Sequence, residues 1–292
     1  MQNNTTTPAR VTILGTGHMG GAIAANLAEH GYEVRAWNRT AAHAEGLAAQ
    51  GVQVVTDAAD AVKGADLVLT MLTDGDATEN VIDTARPAAG TTWVQMGTIG
   101  VRATEKLIEL AAARGLDLVD APVLGTDVPA RQGKLLILAS GADQLRDRVQ
   151  PLFDTLGTRT LWLGAAGRGS AVKLALNTWL AVIAEGIAET LALGDCLGIE
   201  PATILDAMEG TAVAAPWALT KGRNLLAGQL EAGFPLKHAT KDIALVVEAA
   251  RERGVDLPVA EAVTPVWQAL VQAGSGDRDV AAAGARYPLA PR

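Results

Sequence analysis

The chain has 292 residues and one cysteine, Cys196, so it can close no disulfide within itself and hold no thiolate metal cluster. That scarcity suits a reducing compartment, and a cytoplasmic location is the expectation. The four histidines, His18, His30, His43 and His238, are scattered. No two stand at a metal-ligand spacing, so no metal site is expected. Lys and Arg form no run, and a net charge of -8 argues against nucleic acid as a partner. Met1 to Ala9 lacks the charged start and apolar core of a signal peptide and reads as a frayed leader. No segment reads as long and apolar enough to span a membrane, because Lys, Glu or Asp breaks the Ala/Leu/Val stretches at helical spacing. There is no internal repeat. Only the tail after Gly274, with Gly-Ser-Gly and later Pro288 and Pro291, reads as loosely ordered.

What is present is apolar residue in quantity, 49%, over a length that suits two domains. Through about Leu163, short β-type runs alternate with amphipathic helical stretches: Val11–Leu14, Tyr32–Trp37, Val52–Val55, Ala65–Leu72, Thr91–Met96, Leu116–Asp120, Leu135–Leu138 and Arg159–Leu163. Near-continuous apolar strands separated by helices imply an α/β domain whose mostly parallel sheet is covered on both faces. From Gly167 the pattern changes. Ser170 to Leu197 is apolar almost all round and free of proline, which predicts a long buried helix linking domains or subunits. Gly198 ends it, and further helices start near Pro201, Pro216, Leu236 and Val259. The expected architecture is a Rossmann domain over 10–165 and, over 166–292, the interdomain helix followed by an all-α substrate and dimerisation domain. A homodimer is expected because that helix is too apolar to face water on any side.

Gly15-Thr16-Gly17-His18-Met19-Gly20 joins the first strand to the first helix. The first glycine permits the tight turn, the second lets phosphate oxygens approach bare backbone, and the third lets helix and strand pack closely; the helix N-terminus adds unpaired N–H groups. This placement makes the turn a dinucleotide site. The second strand then ends in Asn38-Arg39-Thr40, without the carboxylate that would bind the adenosine ribose of NAD. A guanidinium and a hydroxyl there suit the extra phosphate of NADP, so NADPH/NADP is the expected cofactor. Ligands of such sheets bind beyond the carboxyl ends of the strands, which adds the loops Leu72 to Asp76, with Leu72 and Thr73, and Met96 to Gly100, with Thr98. Ordinary capping by Thr and Asp is the other reading of those loops.

Two polar clusters interrupt the apolar helices. Lys173 and Asn177, four apart, share one face of the long helix and could meet one ligand, while Lys241 and Asp242 lie in the helix from Leu236. An isolated buried lysine is costly, so Lys173 needs an acidic partner or a cleft.

Four motifs carry a resemblance: the Gly15 to Gly20 turn; Asp120-Ala121-Pro122-Val123 leading to Gly133; Gly167-Arg168-Gly169 with Lys173 and Asn177; and Phe234-Pro235-Leu236 with Lys241-Asp242. In order and spacing, from Arg10 to Gln272, the chain resembles the β-hydroxyacid dehydrogenase family, which includes 3-hydroxyisobutyrate dehydrogenase and glyoxylate or succinic semialdehyde reductases and is related to the imine reductases. The resemblance implies Lys173 as general acid/base, Asn177 orienting a small-molecule substrate, Thr98 near the nicotinamide ribose, and Lys241 closing over the cofactor. It also implies Phe234 and Asp242 as substrate-side residues. The chemistry agrees with these roles: hydride delivered to a carbonyl creates an alkoxide, which an ammonium stabilises and then protonates. Beside an oxidised nicotinamide, the Lys173 pKa is expected to fall toward neutrality.

One departure matters. Where the family carries Ser-Gly-Gly to hold a substrate carboxylate, this chain has Leu124-Gly125-Thr126. Either Thr126 compensates, or the pocket takes a more apolar carbonyl compound, or Leu124 only packs. Trp179 and Trp217 read either as core or as pocket aromatics. Three functions follow: an NADPH-dependent aldehyde or keto acid reductase; an imine reductase, in which Asp or Tyr generally stands where Lys173 stands here; and a non-catalytic reader domain, which would be expected to lose that lysine.

Overall fold

The computed structural model describes residues 9–287. The leader, apart from Ala9, and the tail prolines Pro288 and Pro291 lie outside the described residues. The chain divides into two compact units, one ending at Lys173 and the other beginning at Leu174.

The first unit is built on nine strands: β1 (Arg10–Leu14), β2 (Glu33–Trp37), β3 (Gln53–Val54), β4 (Leu67–Thr70), β5 (Thr92–Gln95), β6 (Asp117–Asp120), β7 (Val123–Leu124), β8 (Leu135–Gly141) and β9 (Gly157–Trp162). Their order is β3-β2-β1-β4-β5-β6-β8-β7, with β9 against β8. From β3 to β6 every neighbouring pair is parallel. The order 3-2-1-4-5-6 is that of a dinucleotide-binding sheet, with its switch point between β1 and β4. β8 breaks the pattern by running antiparallel to β6 and β7 and parallel to β9.

The strands read as continuous apolar runs because each feeds two cores. Ile13, Leu69, Val94 and Val119 pack with Leu27 and Phe153 on one face. Their sequence neighbours Leu14, Val68, Trp93 and Leu118 pack with Ile82 and Leu107 on the other. Successive side chains point to opposite faces, so burial on both removes any polar alternation.

The long helix spans Arg168–Cys196, so its first turns belong to the first unit and the remainder to the second. Helices Pro201–Met208, Pro216–Leu226, Leu236–Glu252 and Pro258–Leu270 follow, three of them opened by proline in the first turn. Proline fits there because its missing N–H has no helical partner to lose. Ile187 and Leu191 of the long helix pack with Leu205 and Leu219.

Two sequence expectations need correction. The long helix has 29 residues and is, by length and composition, apolar enough to cross a membrane. Its charged residues are too widely spaced to break the apolar stretch, though within the second unit Asn177 and Glu185 bond to neighbouring helices. Within one chain, Trp179 of this helix is 59% and Leu193 62% exposed. Finally, residues 276–287 are not loose. Val280–Arg286 forms a 3₁₀ helix whose residues Val280 to Gly284 are buried, capped by Asp279. Gly and Pro content misled there because the anchors, Asp279 on Lys221 and Arg286 on Glu185, lie far away in sequence.

Candidate active site

In the first unit, Gly15 follows β1 with φ 104°, a left-handed conformation that glycine adopts without strain, and its N–H donates to Trp37 O at 2.9 Å. A Cβ on Gly15 would lie 2.4 Å from Met71 O, and one on Gly20 1.9 Å from Gly15 O, so the fold itself requires both glycines. Gly17 differs. Its φ of -64° suits any residue, and a Cβ there meets nothing within 4 Å. The protein does not need that glycine; a ligand approaching the backbone does. Gly17 is also the N-cap of helix His18–Glu29, supplies no side-chain cap, and is followed by no acidic residue in the first turn, which leaves donors and a positive helix end for an anion. Beside it the Thr16 hydroxyl is buried without a hydrogen-bond partner. These residues fit a dinucleotide pyrophosphate. His18 is exposed and Met19 half-buried at the same turn.

Asn38 is committed within the protein. Its Oδ1 accepts from Thr16 N at 3.0 Å and its Nδ2 donates to Thr40 O at 3.0 Å, so it ties the end of β2 to the glycine turn. Arg39 and Thr40 are exposed beside it, and among the described residues the Arg39 guanidinium makes no hydrogen bond or ion pair.

The two further loops are set by a buried network that sequence reasoning missed. Trp93 Nε1 donates to Thr70 Oγ1 at 2.9 Å and Thr70 Oγ1 to Gln95 Oε1 at 3.0 Å, while the Gln95 amide bonds both N and O of Gly97. The signal available was a polar residue closing each of two apolar strands. Gly97 in turn lies so close to Leu72 that a Cβ would sit 2.7 Å from Leu72 O. Thus Leu72, half-buried, and Thr73, exposed, stand beside the loop that carries half-buried Thr98. Asp74 does what the alternative reading held, capping helix Gly75–Ala85 through Ala77 N.

At the far side of the sheet, Asp120 ends β6 fully buried. Its carboxylate accepts from Ser170 N at 2.8 Å, Ser170 Oγ at 2.7 Å and Ser140 Oγ at 3.1 Å. Burial raises its pKa above the usual carboxylate value, against the pull of those hydrogen bonds. One turn beyond Ser170, Lys173 Nζ donates to Val123 O at 2.8 Å. The lysine thereby stands beside Val123-Leu124-Gly125-Thr126. Leu124 is half-buried in β7, Gly125 has φ 128°, and Thr126 occupies the N-cap position of helix Asp127–Arg131 without using its hydroxyl as a cap.

The second unit holds the remaining residues. Asn177 Nδ2 donates to Asp242 Oδ2 at 2.9 Å, an orientation the acceptor-only carboxylate dictates. Asn177 Oδ1 is left buried without a hydrogen-bond partner, an acceptor in want of a donor. Lys241 Nζ lies 2.7 Å from Asp242 Oδ1. Trp217 is half-buried with Lys221 Nζ 5.4 Å from its ring centroid, and Lys221 pairs with buried Asp279 at 2.8 Å. Asp279 also accepts from the N–H of half-buried Phe234. Trp179 is 59% exposed, which does not fit the reading of it as a core residue.

A doubly wound sheet with a bare glycine at an uncapped helix end is the frame of a nicotinamide-dinucleotide-dependent oxidoreductase. A family model described as the NAD binding domain of 6-phosphogluconate dehydrogenase matches residues 10–164, and one described as the NAD-binding of NADP-dependent 3-hydroxyisobutyrate dehydrogenase matches residues 167–287. The chain belongs to the 3-hydroxyisobutyrate dehydrogenase family, a branch of the β-hydroxyacid dehydrogenases. It is 32% identical to glyoxylate/succinic semialdehyde reductase 1 of Arabidopsis thaliana over 93% of this chain and 96% of the relative. It is 29% identical to the NAD-dependent L-serine dehydrogenase of Pseudomonas aeruginosa over 92% and 95%. Among solved structures, Mycobacterium tuberculosis 3-hydroxyisobutyrate dehydrogenase with L-serine superposes with a TM-score of 0.87 at 28% identity, over 96% of this chain and 99% of that one. The Aspergillus terreus reductive aminase with NADPH and ethyl levulinate gives a TM-score of 0.65 at 26% identity, over 96% and 100%.

Proposed function

We propose that the protein reduces a small aldehyde or keto acid with NADPH, Lys173 being the proton donor. The observation that carries this reading is Lys173 itself, held by Val123 O beside the loop Leu124 to Thr126. Gly15 to Gly20 would hold the pyrophosphate, Arg39 and Thr40 the adenosine phosphate, and Thr98 the nicotinamide ribose. When bound, the cofactor supplies hydride to a carbonyl carbon. The Lys173 ammonium then stabilises the negative oxygen that results and gives it a proton, and Asn177 Oδ1 accepts from a donor on the substrate. Arg39, exposed and unbonded among the described residues, and the absence of a carboxylate at the end of β2 support NADPH over NADH; the family contains NAD-dependent members, so the preference is a matter for kinetics.

Imine reduction is the second reading, favoured by Leu124 in place of a serine and by the reductive aminase likeness. Two observations weigh against it: the lysine, and the higher TM-score of 0.87 to a hydroxy-acid dehydrogenase against 0.65 to the aminase. Purified protein assayed with NADPH and NADH against aldehydes, keto acids and cyclic imines separates the readings. The proposal expects carbonyl turnover with NADPH, and turnover confined to imines would overturn it.

A further inference from the structure

We infer that Asp120 is a positioning residue that sets Lys173 by clamping the first turn of the long helix. The inference rests on the reading of Lys173 as the proton donor. Asp120 is wholly buried and touches none of the groups to which cofactor or substrate contacts are assigned above, yet it accepts from three donors. A buried carboxylate at such a site is expensive unless its geometry serves something.

What it serves is visible from its partners. Ser170 lies in the first turn of the helix, and both its N–H and its hydroxyl point at Asp120. Thr104, from helix Val101–Arg114, gives its one hydroxyl proton to Gly100 O at 2.8 Å and stands with its oxygen 3.1 Å from Ser170 Oγ, packing against Ser170 from a second side. Ser140, on β8, donates to Asp120 and accepts from Gly169 N at 2.9 Å, gripping the preceding residue. Gly169 comes so close to the sheet that a Cβ would lie 2.2 Å from Leu138 O and 3.0 Å from Asp120 O. The glycine of the Gly167-Arg168-Gly169 motif is thus what lets the helix end reach the clamp. The carboxylate also meets the helix N-terminus, where the macrodipole favours negative charge.

The same segment then makes a second contact three residues on. Asp120 holds Ser170, and Val123 O receives Lys173 Nζ. Two residues three apart on one segment thus grip two residues three apart on one helix turn. With the first grip in place, the lysine is within reach of Val123 O. Without it, the first turn frays and the ammonium samples positions away from the Leu124 to Thr126 loop.

Asparagine can stand in for the aspartate. Its oxygen would still accept from Ser170 N, and its amide would donate to Ser170 Oγ, whose own proton could turn to Thr104 Oγ1, leaving Thr104 to donate to Gly100 O as it already does at 2.8 Å. Alanine can do neither.

The test is a double-mutant cycle of Asp120→Ala and Lys173→Ala, with Asp120→Asn as the rescuing variant. Turnover is read on the carbonyl compound the wild type reduces fastest, alongside cofactor affinity and hydrogen–deuterium exchange of the peptide spanning residues 168–174. Asp120→Ala is expected to lower kcat by about 10–100-fold, leave cofactor Kd within about twofold, and speed exchange in that peptide, because misplacing a reacting group by an ångström costs on this order. Asp120→Asn should restore kcat and slow exchange. In the Lys173→Ala background, Asp120→Ala should cost nothing more, since groups acting as one unit are non-additive. An equal loss in both backgrounds, or unchanged kcat and exchange in Asp120→Ala, overturns the inference. Should Asp120→Ala fail to fold, Ser170→Ala and Ser140→Ala enter the same cycle under the same criteria. Near-normal turnover of Lys173→Ala alone would instead sink the reading of the lysine, a result distinct from either.

Discussion

At the scale of single residues, what this chain does is set by a few side chains that depart from the simplest expectation. Arg39 stands exposed at the end of β2 with no bond among the described residues. A charge-assisted contact to a phosphate contributes roughly 1.5–3 kcal/mol, one to two decades of affinity. Arg39→Ala should therefore erase most of the preference for NADPH over NADH, checked by kcat/KM with each cofactor; equal efficiencies already in the wild type would refute the assignment. Leu124, half-buried in β7, cannot give a carboxylate the hydrogen bond a serine gives, and that bond is worth roughly 1.5–3 kcal/mol. Apolar contact with a substrate gains about 25 cal/mol per Å² instead. Leu124→Ser should raise efficiency on glyoxylate or succinic semialdehyde and lower it on an uncharged aromatic aldehyde. If both activities stay unchanged, Leu124 is a packing residue.

At the scale of elements, the glycine turn shows that one motif mixes two kinds of necessity. Gly20→Ala forces a Cβ to 1.9 Å from Gly15 O and should destabilise the fold, whereas Gly17→Ala meets nothing within 4 Å and should melt like the wild type. Gly17→Ala should nevertheless weaken cofactor binding by about tenfold or more, ~1.4 kcal/mol, as measured by titration calorimetry. Unchanged binding would mean the pyrophosphate lies elsewhere. This turn was legible in the sequence because its spacing and its flanking strand and helix are all local. The parallel strands were legible for the same reason, their double burial being written as unbroken apolar runs. The antiparallel β8 was not: β7, its partner, is two residues long and carries no periodicity. Nor were the Trp93–Thr70–Gln95 network and the Lys221–Asp279 pair, whose members are bound across 23 to 58 residues. Lys173 was singled out as needing an acidic partner or a cleft; its bond to the carbonyl of Val123, 50 residues away, was not foreseen. Side-chain partners at such separations leave no pattern in a linear reading.

At the scale of the whole molecule, one chain leaves Trp179, Leu193 and Leu197 of the long helix region 59%, 62% and 68% exposed. We propose that a second copy covers them, since apolar burial favours association in proportion to area. Light scattering at micromolar concentration should give twice the 30.1 kDa chain mass, and Trp179→Glu should shift it toward one; a wild-type monomer contradicts the dimer. The account's central claim is that Lys173 gives the proton in a nicotinamide-dependent carbonyl reduction. The most direct measurement is single-turnover oxidation of NADPH by Lys173→Ala, with cofactor affinity measured on the same protein. The account predicts unchanged binding, because the glycine turn and Arg39 are untouched, and turnover lower by about 10²–10⁴-fold. Turnover near that of the wild type, with binding intact, would contradict it.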